Sequence, residues 1–237
     1  MKLLPYTSEP LAALDVEDRK LIVKLRQNFL TYLSDSKMVR ILDVVRQIED
    51  KKLAGLFIEA GCALGGSTIL ISSVKDPKRP MKVYDVFQTI PAPTQEDGEE
   101  IHKRYEIITE GNAKGLGGDT YYGYEKNLYE KVKSNLKKFG ITQEHNHVFL
   151  IKGLVQDTLE INEPVVFAHI DVDWYEPVKI CLERITPRLV VGGSIILDDY
   201  YDWEGCGKAI DEYFQEKMDQ FHMDDSGESL LISRIKY

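Results

Sequence analysis

Only three cysteines occur in 237 residues, at positions 62, 181 and 206, and no CxxC pair is among them. A disulfide frame or a cysteine-rich zinc site is thereby excluded, and the thiols read as reduced ones of a cytoplasmic protein. No apolar run approaches the roughly 20 residues of a membrane span. The opening MKLLPYTSEP has no apolar core of the secretory type. Basic residues are outnumbered 30 to 39, giving a formal charge of −9. A nucleic-acid surface needs a basic face, so that partner is excluded too. There is no GxGxxG, no lysine-bearing phosphate loop, no internal repeat and no low-complexity linker. What remains is a globular chain, 43% hydrophobic, with ample core for one α/β domain and a small molecule as its expected partner.

The hydrophobic pattern supplies the elements. Residues 16–34 and 36–51 repeat apolar positions at three and four, which predicts two helices before the first strand, packed across the sheet or against another subunit. Strands are expected at 56–60, 81–84, 148–151, 165–170 and 190–197, with helices at 67–74, 128–139, 177–185 and 209–218 between or after them. Residues 221–224 and 229–235 read as a terminal hairpin. This alternation predicts a doubly wound, mostly parallel sheet of the Rossmann-like type with an antiparallel edge. The expected organisation is N-terminal helices over 1–52 and one catalytic domain over 53–237, interrupted by an insertion at 88–124.

Two apolar runs end in acid. Residues 165–168 lead into HIDVDWY at 169–175, and residues 194–197 lead into DDYY at 198–201. Buried parallel strands look like this, and ligands in open α/β sheets bind at their carboxyl ends. Asp171, Asp173, Asp198 and Asp199 are therefore expected on one rim. A single aspartate there can serve merely as a helix cap, but capping needs one per helix, not pairs. Carboxylates crowded together repel, and a hard divalent cation such as Mg²⁺ or Mn²⁺ with oxygen ligands relieves that.

The segment EAGCALGGS at 59–67 joins the first strand to the first crossover helix. Glycine lets the backbone approach a ligand there, and a helix N-terminus favours a negative group. Asp85, ending the second strand, is placed to bond a ribose diol, as in proteins that bind S-adenosylmethionine or NAD. Asp157, after the third strand, is a candidate for the adenine edge.

FIEAGCALGGSTIL, YDVF, HIDVDWYEPV, PRLVVGGSIILDDY and GCGKAIDEYF resemble, in that order, the macrocin O-methyltransferase family over roughly residues 53–218. The resemblance implies a class I methyltransferase with a seven-stranded sheet, S-adenosylmethionine as methyl donor and Mg²⁺ as metal. It implies metal ligands at Asp171, Asp198 and Asp199, and cofactor contacts at Glu59, Gly61, Ser67 and Asp85, with Gly65 in the same loop. The acceptor is expected to be a hydroxyl of a small natural product, a sugar or vicinal diol. A homo-oligomer is the expected assembly. The segment 88–124 departs from the family pattern.

Methyl transfer to an aliphatic hydroxyl needs an alkoxide or nearly so, hence a metal with a base beside it. Asp171 and Asp173 are the candidate catalytic carboxylates. Tyr175, Glu176, Tyr121 and Tyr122 are the candidate acceptor contacts. Five glycines and three tyrosines within 111–124 suggest a closing lid. His169 reads as a core histidine, His145 and His147 as solvated, and His102 and His222 as weak candidates for the base. Two other classes compete: an NAD-dependent oxidoreductase, disfavoured by the missing fingerprint, and a non-catalytic binding module on the same sheet, disfavoured by the intact carboxylates.

Overall fold

A computed structural model describes residues 9–237; most of the opening segment lies outside the described residues. In chain order the elements are α1 (Glu9–Ala12), α2 (Val16–Gln27), α3 (Asp35–Asp50), β1 (Leu56–Ala60), α4 (Gly66–Val74), β2 (Met81–Asp85) and α5 (Glu99–Thr109). They continue with α6 (Leu128–Lys138), α7 (Gln143–Asn146), β3 (Val148–Lys152), α8 (Val155–Thr158), β4 (Val165–Ile170) and α9 (Tyr175–Ile185). The chain closes with β5 (Leu189–Leu197), α10 (Glu204–Phe214), β6 (Phe221–Asp224) and β7 (Leu230–Arg234).

The seven strands form one sheet in the order β3-β2-β1-β4-β5-β7-β6. The first five are mutually parallel, and β7 inserts antiparallel between β5 and β6. The expected doubly wound sheet with an antiparallel terminal hairpin is the one observed. The order reverses between β1 and β4, and at that switch point the carboxyl ends of the two strands open a crevice.

Strand residues alternate between two cores. Phe57, Met81, Val83, Phe167 and Ile196 pack under α2, α3, α4 and α6. Ile58, Ala60, Ala168, Ile195 and Leu197 pack under α9 and α10. Both faces of β1 are covered, so all five of its residues are buried, Glu59 included. The helices before β1 lie on the sheet within the same core as α4.

Boundaries shift where local signals conflict. α2 ends at Gln27, earlier than its periodicity suggests, because Asn28 caps it and Phe29 takes a left-handed φ of 52°. α10 begins at Glu204, ahead of the expected Ala209, since its glycines at 205 and 207 mask the helical pattern. No described helix is long and apolar enough to cross a membrane.

Candidate functional site

The turn after β1 is fixed by contact with the acidic strand end. Gly61 has φ +83°, and a Cβ placed there would lie 1.7 Å from the Asp171 carbonyl oxygen, so only glycine fits. The amides of Cys62 and Ala63 donate to Asp85 Oδ2 at 2.8 and 3.2 Å, and the Phe87 amide donates to Oδ1 at 2.6 Å. Asp85 therefore holds the turn in shape while facing the crevice. Burial raises its pKa, and these backbone bonds oppose that rise. Gly65 precedes α4 with φ +88° and no side-chain cap, which leaves the first helical amides available to a ligand. A cavity of about 520 Å³ runs from this turn to the acidic rim, a size suited to a cofactor with a small acceptor.

Asp171 and Asp173 follow β4; Asp198 and Asp199 follow β5. Asp173 sits at φ +59°, a conformation that costs energy for a residue other than glycine and concentrates at functional sites. Its Oδ1 accepts from Trp203 Nε1 at 3.2 Å. Two groups of carboxylates have oxygens within 4.8 Å of one another: Asp171, Asp173 and Asp199, and separately Asp198, Asp199 and Asp202. Asp199 belongs to both, is buried, and has one oxygen, Oδ2, without a hydrogen-bond partner.

The two groups differ in charge compensation. Lys37, on α3, donates to Asp198 Oδ2 at 2.9 Å, to the Asp198 carbonyl at 3.0 Å and to Asp202 Oδ2 at 2.7 Å. His169 Nε2 lies 3.9 Å from Asp198 Oδ1 on the other side. Burial would raise Asp198, but His169 and Lys37 outweigh it and hold this acid below the usual carboxylate range. Lys37 also favours the charged forms of Asp171 and Asp199, but too weakly to offset what opposes them. Burial first, then the other carboxylates, push both far above that range, and burial takes Asp173 to about 6. That is the electrostatic signature of a place short of positive charge. All-oxygen donors and an unpartnered buried carboxylate oxygen suit a hard divalent ion.

The rest of the wall is largely aromatic. Tyr32, Tyr121, Tyr122, Trp174 and Trp203 line the cavity together with Arg104. Tyr122 stacks between Tyr32 and Tyr121 at centroid distances of 5.8 and 4.5 Å. The insertion, which brings Tyr121, Tyr122 and Arg104 to this wall, is pinned: Trp174 Nε1 donates to the Pro91 carbonyl at 2.9 Å, and the Tyr175 amide donates to Asp97 Oδ1 at 2.8 Å.

Of the residues singled out from sequence, Gly61, Ser67, Asp85, Asp171, Asp173, Asp198, Asp199, Tyr121 and Tyr122 line this one cavity. Five do not. Glu59 lies beneath it, fully buried, where Thr68 Oγ1 donates to its Oε2 and His169 Nδ1 stands 3.3 Å from its Oε1. Gly65 faces Val132 and Leu136 of α6. Asp157 falls in α8 off the lining, where Leu154, Val155 and Gln156 take its place. Tyr175 turns toward α10 and donates to Glu212 at 2.7 Å. Glu176 is exposed in the first turn of α9, where a negative charge complements the helix dipole.

Among the histidines, His169 is the buried core histidine expected, although it is paired with acids on both sides. His102 contacts the Thr94 carbonyl within the insertion. Lys37 was not singled out by the sequence reading. Its signal is a lysine on the apolar stripe of α3, in register with Ile41, Val44 and Ile48, all buried. Arg104, Trp203 and Gln156 carried no such signal.

The sequence model described as Macrocin-O-methyltransferase (TylF) matches residues 12–225. A demethyldecarbamoylnovobiocin O-methyltransferase of Streptomyces niveus is 26% identical over 200 residues, covering 78% of this chain and 68% of that one. A relative from Streptomyces olivaceus, named 8-demethyl-8-(2,3-dimethoxy-alpha-L-rhamnosyl)-tetracenomycin-C 4'-O-methyltransferase, is 29% identical over 168 residues. That alignment covers 67% of this chain and 58% of the relative. Among solved structures, the O-methyltransferase NovP superposes with a TM-score of 0.70 at 22% identity, over 90% of this chain and 88% of that one. The calicheamicin methyltransferase CalS11 gives 0.63 at 17%, over 94% and 88%. At these identities the two structures speak for the fold.

Proposed function

Because the chain belongs to the macrocin O-methyltransferase family, we propose that it methylates a hydroxyl of a sugar or vicinal diol on a small natural product, with Mg²⁺ or Mn²⁺ at its carboxylates. The enzyme class, S-adenosylmethionine-dependent O-methyltransferase, is the family's. The observation that carries the finer reading is that Asp171, Asp173 and Asp199 converge in the same cavity that the Gly61–Ser67 turn lines. One relative's name places its methyl transfer on a rhamnosyl group, which supports a sugar acceptor.

In this reading the turn and Asp85 hold the nucleoside, and the free amides of α4 meet the negative end of the methionine moiety. The acceptor lies between the carboxylates and the tyrosine wall. Its oxygen attacks the methyl carbon in line with the sulfonium; the O–CH₃ bond forms as the S–CH₃ bond breaks, and S-adenosylhomocysteine leaves. Asp173, steadied by Trp203, receives the hydroxyl proton on its carboxylate. Asp171, Asp199 and the unpartnered Oδ1 of Asp198 would hold a divalent ion, which supplies an acidic centre that eases loss of that proton. Trp174, Trp203 and the tyrosines keep water from the sulfonium.

The test is transfer of labelled methyl from S-adenosylmethionine to a panel of glycosides and catechols, with and without EDTA. Methylation of neither class sinks the acceptor reading. Full activity in EDTA sinks the ion.

A further inference from the structure

Two cations line the cavity, Lys37 and Arg104. Lys37 spends its three donors on Asp198 and Asp202. Arg104 spends none: among the described residues its guanidinium makes no hydrogen bond and no ion pair. An acid was at hand. Lys103, its neighbour on α5, pairs with Glu99 one turn back at 3.4 Å, and Glu100 stands one turn before Arg104 in the same way. Arg104 turns inward instead. It is half-buried, with its guanidinium carbon 5.8 Å from the centre of the Tyr121 ring. Its charge bears on Tyr32 and Asp173 as well, which puts it where the aromatic wall meets the carboxylates. A guanidinium offers five N–H donors in a planar fork that matches a carboxylate or phosphate. Donors drawn partly out of water with no acceptor carry a cost that a ligand can relieve.

We infer that Arg104 is a specificity-determining residue: it binds an oxyanion, carboxylate or phosphate, carried by the acceptor beyond the hydroxyl that is methylated. The aspartates of the cavity repel such a group, and Lys37 is already engaged, so Arg104 is the lining cation with donors to spare. It belongs to the segment 88–124, which departs from the family pattern, so the preference is this chain's own. The inference rests on the proposal that the acceptor lies between the carboxylates and the tyrosine wall.

The experiment is steady-state methyl transfer by the full chain with Mg²⁺ on two matched sets of acceptors. One set is catechol, 3,4-dihydroxybenzoate and 3,4-dihydroxyphenylphosphonate. The other is methyl glucoside, its 6-carboxylate and its 6-phosphate. Within the set that is methylated, an anionic member should have a KM lower than the neutral one by at least roughly tenfold, the scale of a charge-assisted hydrogen bond. Whichever anion gains more identifies the group. Arg104→Gln should erase that difference while leaving the neutral acceptor's KM and S-adenosylhomocysteine binding nearly unchanged. Arg104→Lys should keep part of it, and Arg104→Glu should favour 3,4-dihydroxybenzylamine over catechol. An arginine that only braces the wall or balances the aspartates predicts equal losses for neutral and anionic acceptors in Arg104→Gln, and that result overturns the inference. A preference that survives in Arg104→Gln overturns it too. Should Arg104→Gln lose S-adenosylhomocysteine binding, Arg104→Lys and Arg104→Glu decide by the same comparison. Equal KM for neutral and anionic acceptors in the parent defeats this inference alone. Methylation of neither set defeats it together with the acceptor reading beneath it.

Discussion

Glu59 Oε1 lies 3.3 Å from His169 Nδ1, and neither side chain reaches solvent. The two residues are neighbours in the β1–β4 register. From them a line of alternating charge runs through Asp198 and Lys37 to Asp202 at the surface. Burial opposes a charged His169, but Asp198 and Glu59 outweigh it and raise its pKa to about 9. A buried pair of this kind is costly to break from one side, because the remaining charge has no partner. Glu59→Leu should therefore cost about 3–5 kcal/mol of stability. The double change with His169→Leu should cost less than the sum of the two singles. Urea unfolding of the four proteins measures this, and additivity would mean the pair carries no coupling. Since Glu59 does not line the cavity, Glu59→Gln should alter S-adenosylhomocysteine affinity far less than changes at Asp85 do.

Asp85→Ala should weaken S-adenosylmethionine binding by about 1.5–3 kcal/mol, the scale of a lost charge-assisted hydrogen bond. The turn it supports should loosen as well, since the Cys62, Ala63 and Phe87 amides lose their acceptor. Calorimetry reads the first effect and amide exchange at residues 61–66 reads the second. Unchanged affinity with a loosened turn would take Asp85 off the ribose and leave it a scaffold.

Chelation should stop methyl transfer while leaving S-adenosylmethionine binding nearly intact, because none of the carboxylates that would hold the ion belongs to the Gly61–Ser67 turn or is Asp85. Asp199→Asn should raise the Mg²⁺ concentration needed by at least roughly tenfold. Asp173→Asn should instead lower kcat at saturating Mg²⁺, as expected for a lost proton acceptor. If both variants respond only in their Mg²⁺ requirement, Asp173 is a ligand and another group takes the proton.

The insertion should exchange unevenly. Tyr121 is buried, and the Tyr124 hydroxyl bridges the Ile108 carbonyl and the Ala113 amide at 2.7 and 3.1 Å. Just before them, residues 114–120 are held by hydrogen bonds within the segment itself, by the bridge of Lys114 with Thr120 and by the packing of Gly117 on Phe29. Rapid hydrogen exchange is expected over 114–120 without acceptor and slow exchange with it, while 121–124 stays protected throughout. Equal exchange in both states would mean the segment does not close.

Away from the site, Lys75 Nζ donates to the carbonyls of Asp76, Arg79 and Asn146 at 3.1, 2.9 and 2.6 Å. Burial depresses its pKa to about 8. The unfolded chain, with lysine near 10.4, then holds a proton that the folded one has released between about pH 8 and 10.4. Stability from this residue should rise with pH across that window and be lost as pH falls back through 8. Relative to Lys75→Met, the native chain should gain stability between about pH 7.5 and 10 in urea unfolding. A constant difference would show that the three carbonyls keep the ammonium charged throughout.

The central strands were the most legible in the sequence because β1 and β4 are buried on both faces and read as apolar runs, and both fall at their expected bounds. Glycines spoil periodicity, which is why the start of α10 was not. In the site, Asp171, Asp173, Asp198 and Asp199 were legible from their place after such runs. Their unequal charge compensation was not, since it depends on Lys37, 161 positions from Asp198 in the chain. Tyr175 and Glu176 illustrate a subtler loss. They adjoin Trp174, which does line the cavity, but α9 begins at Tyr175 and its winding turns the next two side chains away.

The contact between Gly61 and the Asp171 carbonyl joins the donor and acceptor halves into one rigid block. In the proposed reading, the main chain thereby fixes the methyl donor's turn against the first acidic strand end, whatever the side chains around it do. Descendants of this chain are free to change what they methylate by rewriting the aromatic wall and the segment 88–124. They have little freedom to shift that turn, because doing so requires rebuilding two strand ends at once.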